Sequence, residues 1–201
     1  MDIKTQQRWD RAAKYFDLMG GFGPEKRWRP YKEALFAPMS GRILFLAAGT
    51  GLDFTHFPAG QKIVAIDISP EMIKRAKKRA DSYPGQIELL LMDVHEMEFP
   101  DGHFDQIYTS CTFCSVPDPV RGLEALKRVI KPGGALRMFE HTGSRIFPFR
   151  QILNLTNPLW SSIGPDVNRN TVANVQQAGF QQVRVNNHFL DVVRSIEAIA
   201  P

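Results

Sequence analysis

Short apolar runs alternate with segments of helical period along most of the chain. Ile43, Leu44, Phe45 and Leu46 carry no polar residue, the pattern of a strand buried on both faces. Ala47, Gly49 and Gly51 mark the turn after it. The pattern recurs at Ile63 to Ser69, Ile87 to Leu91, Phe104 to Ser110 and Ala135 to Glu140. Between these runs, Ser69-Pro70 reads as an N-cap followed by proline at the first helical position. Met72, Ile73, Ala76 and Ala80 make the inner stripe of that helix and Lys74, Arg75, Lys77, Lys78 and Arg79 its wet face. A second helix runs from Val120 to Ile130 and is closed by Lys131-Pro132-Gly133-Gly134. Strand alternating with helix predicts a parallel sheet with helices on both faces.

The two ends depart from this rhythm. Thr5 to Met19 places Trp9, Ala12, Ala13, Phe16 and Met19 at helical spacing with basic residues between, and Gly20, Gly21, Gly23 and Pro24 end it. A shorter helix, Glu25 to Phe36, carries Trp28, Tyr31, Leu35 and Phe36. Beyond the fifth strand, His141 to Ile163 is an apolar and aromatic insertion holding Phe147, Phe149, Leu153, Leu155, Leu159 and Trp160. A last helix is expected over Asp166 to Gly179. The runs near Gln182 to His188 and Val192 to Ile199 are too close for a crossover helix and must pair antiparallel.

At 201 residues the chain fits one domain. Its expected parts are a helical lid (1–40), a core (41–140), an acceptor cap (141–165) and a final helix with hairpin (166–201). No apolar run approaches the roughly 20 residues of a membrane span, and MDIKTQQRWD lacks the apolar centre of a signal peptide, so a cytoplasmic protein is expected. Lys plus Arg number 25 against 21 Asp plus Glu, and Lys4, Arg8, Arg11, Lys14, Lys26, Arg27, Arg29 and Lys32 crowd the N-terminus. That clustering fits a solvated helix face or peripheral contact with an anionic membrane surface. Cys111 and Cys114 form one C-x-x-C pair without a second pair or nearby histidines, so they are expected as small buried residues beside a pocket and no metal is expected.

The chemistry gathers at the first two strand ends. Small residues at 47, 49 and 51 let a ligand approach main-chain N–H groups at the start of a following helix. Asp67 follows about 20 positions later, where a ribose-binding carboxylate belongs in a nucleotide-binding βαβ unit. A dinucleotide fingerprint counted from Gly49 and Gly51 requires glycine where Phe54 stands, so NAD is disfavoured. Asp93 closes the third strand at the same sheet edge, within reach of an adenine amino group, and the N–H of Val94 serves a ring nitrogen. His141 follows the fifth strand at that edge and is the best candidate for a general base, with a structural histidine as the plain alternative.

The A-x-G-x-G spacing resembles motif I of the class I S-adenosylmethionine-dependent methyltransferases. The blocks ILFLAAGTGLDF, AIDIS, LMDV, FDQIYTSCTFCSVPDP and VIKPGGALRMFEH are similar, in order, to those of the small-molecule members over nearly the whole chain. RWDRAAKYFDLM with KRWR resembles the entrance of the ubiquinone and menaquinone C-methyltransferases and of bacterial phospholipid N-methyltransferases. CSVPDP and NRNTVANVQQAGF look more like the thiol S-methyltransferase group. The resemblance implies a Rossmann-like, doubly wound α/β sheet of seven strands in the order 3-2-1-4-5-7-6, mostly parallel with one antiparallel strand, and S-adenosylmethionine as cofactor.

It also implies roles at matching positions. Ala47, Gly49 and Gly51 lie against the methionine and ribose end, Asp67 on the ribose with Ile68 and Met72 beside it, Asp93 and Val94 at adenine, and Ser110 by the amino-acid moiety. Phe45 stands where many members carry an acidic residue, and Phe16 replaces the tyrosine of a typical Tyr-Asp pair, leaving Tyr15 or Asp17 to meet the cofactor's ammonium group. The expected acceptor is a small lipophilic molecule, a phospholipid amine or quinone precursor first and a thiol second, between Trp9, Phe16, Phe22 and Trp28 on one wall and Phe147, Phe149, Leu153 and Trp160 on the other. A rival class is a non-catalytic module binding cofactor or lipid. Asn157-Pro158-Leu159-Trp160 is similar to a motif of nucleic-acid amino methyltransferases but lies in the wrong place, so no nucleic acid is expected.

Overall fold

Alternation along the chain becomes adjacency in space in the computed structural model, which describes residues 2–20 and 24–201. The strands are β1 (Ile43–Leu46), β2 (Lys62–Asp67), β3 (Gln86–Leu91), β4 (Phe104–Ser110), β5 (Ile130–His141), β6 (Gln181–Phe189) and β7 (Val193–Ile199). They form one sheet in the order β3-β2-β1-β4-β5-β7-β6, with β7 antiparallel to both neighbours. The helices are α1 (Ile3–Gly20), α2 (Pro24–Phe36), α3 (Pro70–Asp81), α4 (Pro119–Val129), α5 (Phe149–Ile163) and α6 (Thr171–Gln177). Phe22, Gly21 and Gly23, assigned to a wall and a helix stop from the sequence, lie outside the described residues.

Because the strands are buried on both faces, alternate residues feed two cores. Leu44, Leu46, Ile107, Leu136 and Met138 pack in one cluster with Leu123 and Leu126 of α4 and Val175 of α6. Ile43, Phe45, Ala65, Tyr108 and Phe139 point into the other, with Leu35 and Phe36 of α2 and Ala76 of α3. The chain order reverses between β2-β1 and β4-β5, so the C-terminal ends of these strands open a crevice, the usual ligand position in such sheets. Asp67, Ser110 and His141 all end strands at this edge.

Helix starts follow from side-chain caps. The Ser69 hydroxyl accepts the N–H of Met72 at 3.1 Å, and Asp118 accepts that of Arg121 at 3.1 Å, each supplying a partner for an otherwise orphaned amide. Two expectations fail. The glycine turn leads not into an α-helix but into a 3-10 turn, Leu52–His56. Phe54 and Phe57 are drawn into the aromatic cluster of Phe36 and Phe45, with Phe36–Phe57 and Phe45–Phe57 centroids 4.8 and 5.0 Å apart, and Pro58 ends the segment.

The helix expected from Asp166 begins only at Thr171, after an Asn170 cap. Asn157 of α5 accepts the N–H of Val167 at 2.8 Å, Cys114 O accepts that of Asp166, and Arg169 pairs with Asp166, so the segment before Thr171 is held as a strap. Asn157 therefore works as a structural anchor. The ladder of β5 with β4 reaches back past the glycines to Ile130, with a register shift opposite Phe104 and Gln106.

Candidate active site

A cavity of about 510 Å³ lies over the crevice. Its floor is the strand edge: Leu46, Ala47 and Gly49 after β1, Asp67 and Ile68 after β2, Met92 to His95 after β3, Ser110 to Thr112 after β4, and His141. α1 supplies one wall through Asp2, Thr5, Trp9 and Phe16, and α5 the facing wall through Leu153 and Trp160. Trp9 and Phe16 meet edge to face at 6.3 Å.

Asp67 is buried, and both of its oxygens are already used by the backbone. Oδ2 accepts Gly49 N–H at 2.8 Å and Oδ1 accepts Ser69 N–H at 2.9 Å. Burial pushes its pKa up to about 6, against the pull of those amides. Two more of the turn's amides are occupied: Ala48 donates to Ile66 O and Gly51 to Ala48 O. Of the expected cradle of main-chain donors, Ala48, Gly49 and Gly51 are thus engaged within the protein. The Gly49 amide orients the carboxylate, and the small residues keep the space above it clear.

Asp93 caps the 3-10 turn Val94–Glu96, accepting His95 N–H at 3.0 Å, and takes the N–H of Asp2 at 3.0 Å on its other oxygen. Burial alone would raise its pKa, but those amides and the His95 ring at 2.9 Å hold it below the usual carboxylate range. His95 also reaches the carbonyl of Asp118 at 2.9 Å, tying the β3 edge to the start of α4. Val94 N–H opens its turn and is one of the donors that helical geometry leaves without a partner.

Beneath the floor, Glu140 is fully buried. Oε1 accepts Thr109 Oγ1 at 2.7 Å and Thr112 N–H at 3.1 Å, and Oε2 accepts Phe113 N–H at 3.1 Å. Burial raises its pKa to about 7 against these donors. It anchors the loop after β4, in which Cys111 takes a positive φ of 52°. Burial pushes the Cys114 thiol up to about 12, so it stays protonated and is a poor nucleophile, whereas Cys111, expected to be buried as well, is exposed at the cavity floor. Among the described residues no cluster of His, Cys, Asp or Glu is arranged to hold a metal.

Comparison with known proteins identifies the chemistry. A methyltransferase domain family matches residues 44–138. A ubiquinone/menaquinone biosynthesis C-methyltransferase of Geotalea daltonii is 32% identical over 160 residues, covering 74% of this chain and 68% of the relative. A thiol S-methyltransferase of Homo sapiens is 28% identical over 198 residues, covering 88% and 80%. The chain belongs to the class I S-adenosylmethionine-dependent methyltransferases. The same fold is seen in a methyltransferase of Thermotoga maritima described as a possible histamine N-methyltransferase, with a TM-score of 0.74 at 16% identity over 97% of this chain and 99% of that one.

The methyltransferase cavity suits its cofactor. A Cβ built on Gly49 meets nothing nearer than Phe16 Cε1 at 3.9 Å, so open space lies over the turn beside the Asp67 carboxylate. Of the residues named from sequence, Ala47, Gly49, Asp67, Ile68, Met72, Asp93, Val94, Ser110, His141, Trp9, Phe16 and Trp160 line this one cavity.

Four do not. Tyr15 is exposed on the outer side of α1, one helical step from Phe16. Gly51 faces away, packed against Phe54 and Ala76. Trp28 lies in the opposite core, 6.1 Å from the Phe139 ring. Phe147 projects into solvent. Asp17 is engaged by Thr50 Oγ1 at 2.5 Å and by Arg79 at 3.3 Å, so it braces the turn rather than meeting an ammonium group. Phe45 is buried in the opposite core because alternation along β1 turns it there. Asp2, Thr5, Pro165 and Val167 complete the wall without any local signal in the sequence.

Proposed function

We propose that this methyltransferase acts on a small lipophilic acceptor bound between α1 and α5, a quinone precursor or phospholipid amine first and a thiol second. The observation that carries the reading is the division of one cavity. Asp67 and Asp93 stand at the cofactor end, Trp9, Phe16, Leu153 and Trp160 form an apolar chamber, and His141 also faces the space. In this reading α1 is a lid and the 141–165 segment an acceptor cap. The quinone relative at 32% identity supports a ring acceptor, and the thiol relative aligned over 198 residues supports the second reading.

When bound, S-adenosylmethionine would supply a methyl group activated on a sulfonium, for transfer to the acceptor's electron pair with the neutral thioether of S-adenosylhomocysteine as the leaving group. Asp67 would accept hydrogen bonds from the ribose hydroxyls, and Asp93 with Val94 N–H would hold the adenine edge. The apolar walls exclude water and hold the acceptor, where proximity supplies much of the rate. A phenolic ring, its carbon nucleophile or a thiol must also lose a proton. The His141 imidazole is suited to take it, since burial lowers its pKa below the ordinary 6.5 and it has no hydrogen-bond partner among the described residues.

Labelled methyl transfer to quinone precursors, alkyl thiols, phosphatidylethanolamine and RNA tests the reading. Turnover is expected with a quinone precursor or phospholipid amine, and a thiol as sole acceptor selects the second reading. Transfer to RNA alone sinks both, as does failure of S-adenosylhomocysteine to bind.

A further inference from the structure

α5 is apolar on two sides. Leu153 and Trp160 face the cavity, yet Ile152, Leu155 and Leu159, spaced as neighbours on one helical stripe, are 51%, 84% and 66% exposed. Phe147, just before the helix, is 78% exposed. A second apolar stripe on the outside of a helix is surface that a partner or lipid ordinarily covers, and no other described element covers this one. Nor is the ridge a loose tail. Asp191, in the turn between β6 and β7, accepts the N–H of Arg145 at 2.6 Å and the hydroxyl of Ser144, so the lead-in to α5 is fixed on the sheet.

The charge carried by the segment itself is of one sign, and the acids beside it, Asp191 and Asp166, are paired with Arg194 and Arg169. From His141 to Pro165 there are two arginines, Arg145 and Arg150, both exposed, and no acidic residue. α1 lies alongside, with Trp9 and Arg8 against Gly164. Its Lys4, Arg11 and Lys14 are exposed, while its acids point inward, Asp10 to the Ser69 hydroxyl at 2.5 Å and Asp17 to Thr50. The apolar face of α1, Trp9 and Ala13, is committed to the cavity wall and the interior, so α1 offers charge rather than insertion.

We propose that the outer stripe of α5 seats the protein on an anionic lipid bilayer, with Phe147, Leu155 and Leu159 in the acyl boundary and the α1 and α5 cations at the headgroups. A second copy of the chain is the poorer occupant, because a two-fold contact through this ridge sets the same cations against each other. α5 then forms a shared wall between bilayer and cavity. The proposal deepens the lipophilic-acceptor reading and rests on it for the use of the surface.

The test is cosedimentation of the full chain with vesicles of mixed phosphatidylcholine and phosphatidylglycerol, alongside calorimetric binding of S-adenosylhomocysteine. The wild type is expected to bind vesicles, less tightly as salt rises. Leu155→Asp/Leu159→Asp is expected to lower vesicle partitioning about tenfold or more with S-adenosylhomocysteine affinity unchanged. Arg145→Glu/Arg150→Glu is expected to weaken binding and flatten its salt dependence. Vesicle binding that survives the double aspartate variant overturns the proposal, as does a wild type that stays off vesicles, whether monomeric or in a dimer that the same variant dissociates. Vesicle binding without S-adenosylhomocysteine binding leaves the surface standing and removes the methyl-transfer reading.

Discussion

Asp67 and Glu140 are carboxylates that burial keeps partly protonated near neutrality, and this sets their pH behaviour. Between pH 3.8 and about 6 for Asp67, and between 4.5 and about 7 for Glu140, the folded protein holds a proton that the unfolded chain has released. Each therefore lowers stability as pH rises through its window, with no further loss above it. Urea unfolding across pH should show this slope shrink in Glu140→Gln, which also strands one loop amide and costs about 1–3 kcal/mol below the window. Cofactor binding runs the other way, because ribose donors favour the ionised Asp67. S-adenosylhomocysteine affinity should fall as pH drops below about 6, and Asp67→Ala should weaken it at neutral pH by roughly 1.5–3 kcal/mol. Ala47 sits at a φ of 58°, where glycine carries no Cβ penalty. Ala47→Gly should raise the unfolding free energy measured in urea by up to about 1 kcal/mol, the left-handed strain less glycine's greater unfolded freedom. His141→Asn should lower kcat with little change in S-adenosylhomocysteine affinity, and should remove an acidic limb lying below the ordinary histidine range of about 6.5.

Among the elements, α1 is tied to the site at both ends: by Asp2 to Asp93, and through Asp17 to Thr50 and Arg79, which itself holds the Thr50 carbonyl at 2.7 Å. Removing residues 1–20 should therefore weaken S-adenosylhomocysteine binding by about tenfold or more while leaving a folded sheet, as far-UV circular dichroism would show. The stripe of Trp9, Ala13 and Phe16 was legible because helical period is local. That α5 has two apolar sides was not, since its composition gives no hint of which stripe the sheet covers. The 3-10 turn after β1 was illegible for the same reason: Phe54 and Phe57 are recruited by aromatics of α2 and β1 far away in sequence.

For the molecule as a whole, a ligand that binds only the folded state stabilises it by mass action. S-adenosylhomocysteine at about a hundred times its Kd should add about 2.7 kcal/mol and raise Tm by roughly 5–10 °C in scanning calorimetry. The cofactor edge could be read from the chain, because buried strands, glycine turns and Asp67 after β2 are short-range patterns, whereas the strand order came from the resemblance to the methyltransferases and only the antiparallel hairpin from loop length. Asp93, Ser110 and His141 were likewise legible as strand ends at one edge. Tyr15, Trp28 and Phe147 were misplaced, Asp2 went unassigned and the strap before Thr171 was read as helix, because their positions depend on which face of an element meets which neighbour. Period tells that a residue shares a face with others; only the packed sheet, with two cores competing for every apolar side chain, decides whether that face closes the cavity, fills the opposite core or is left to the solvent.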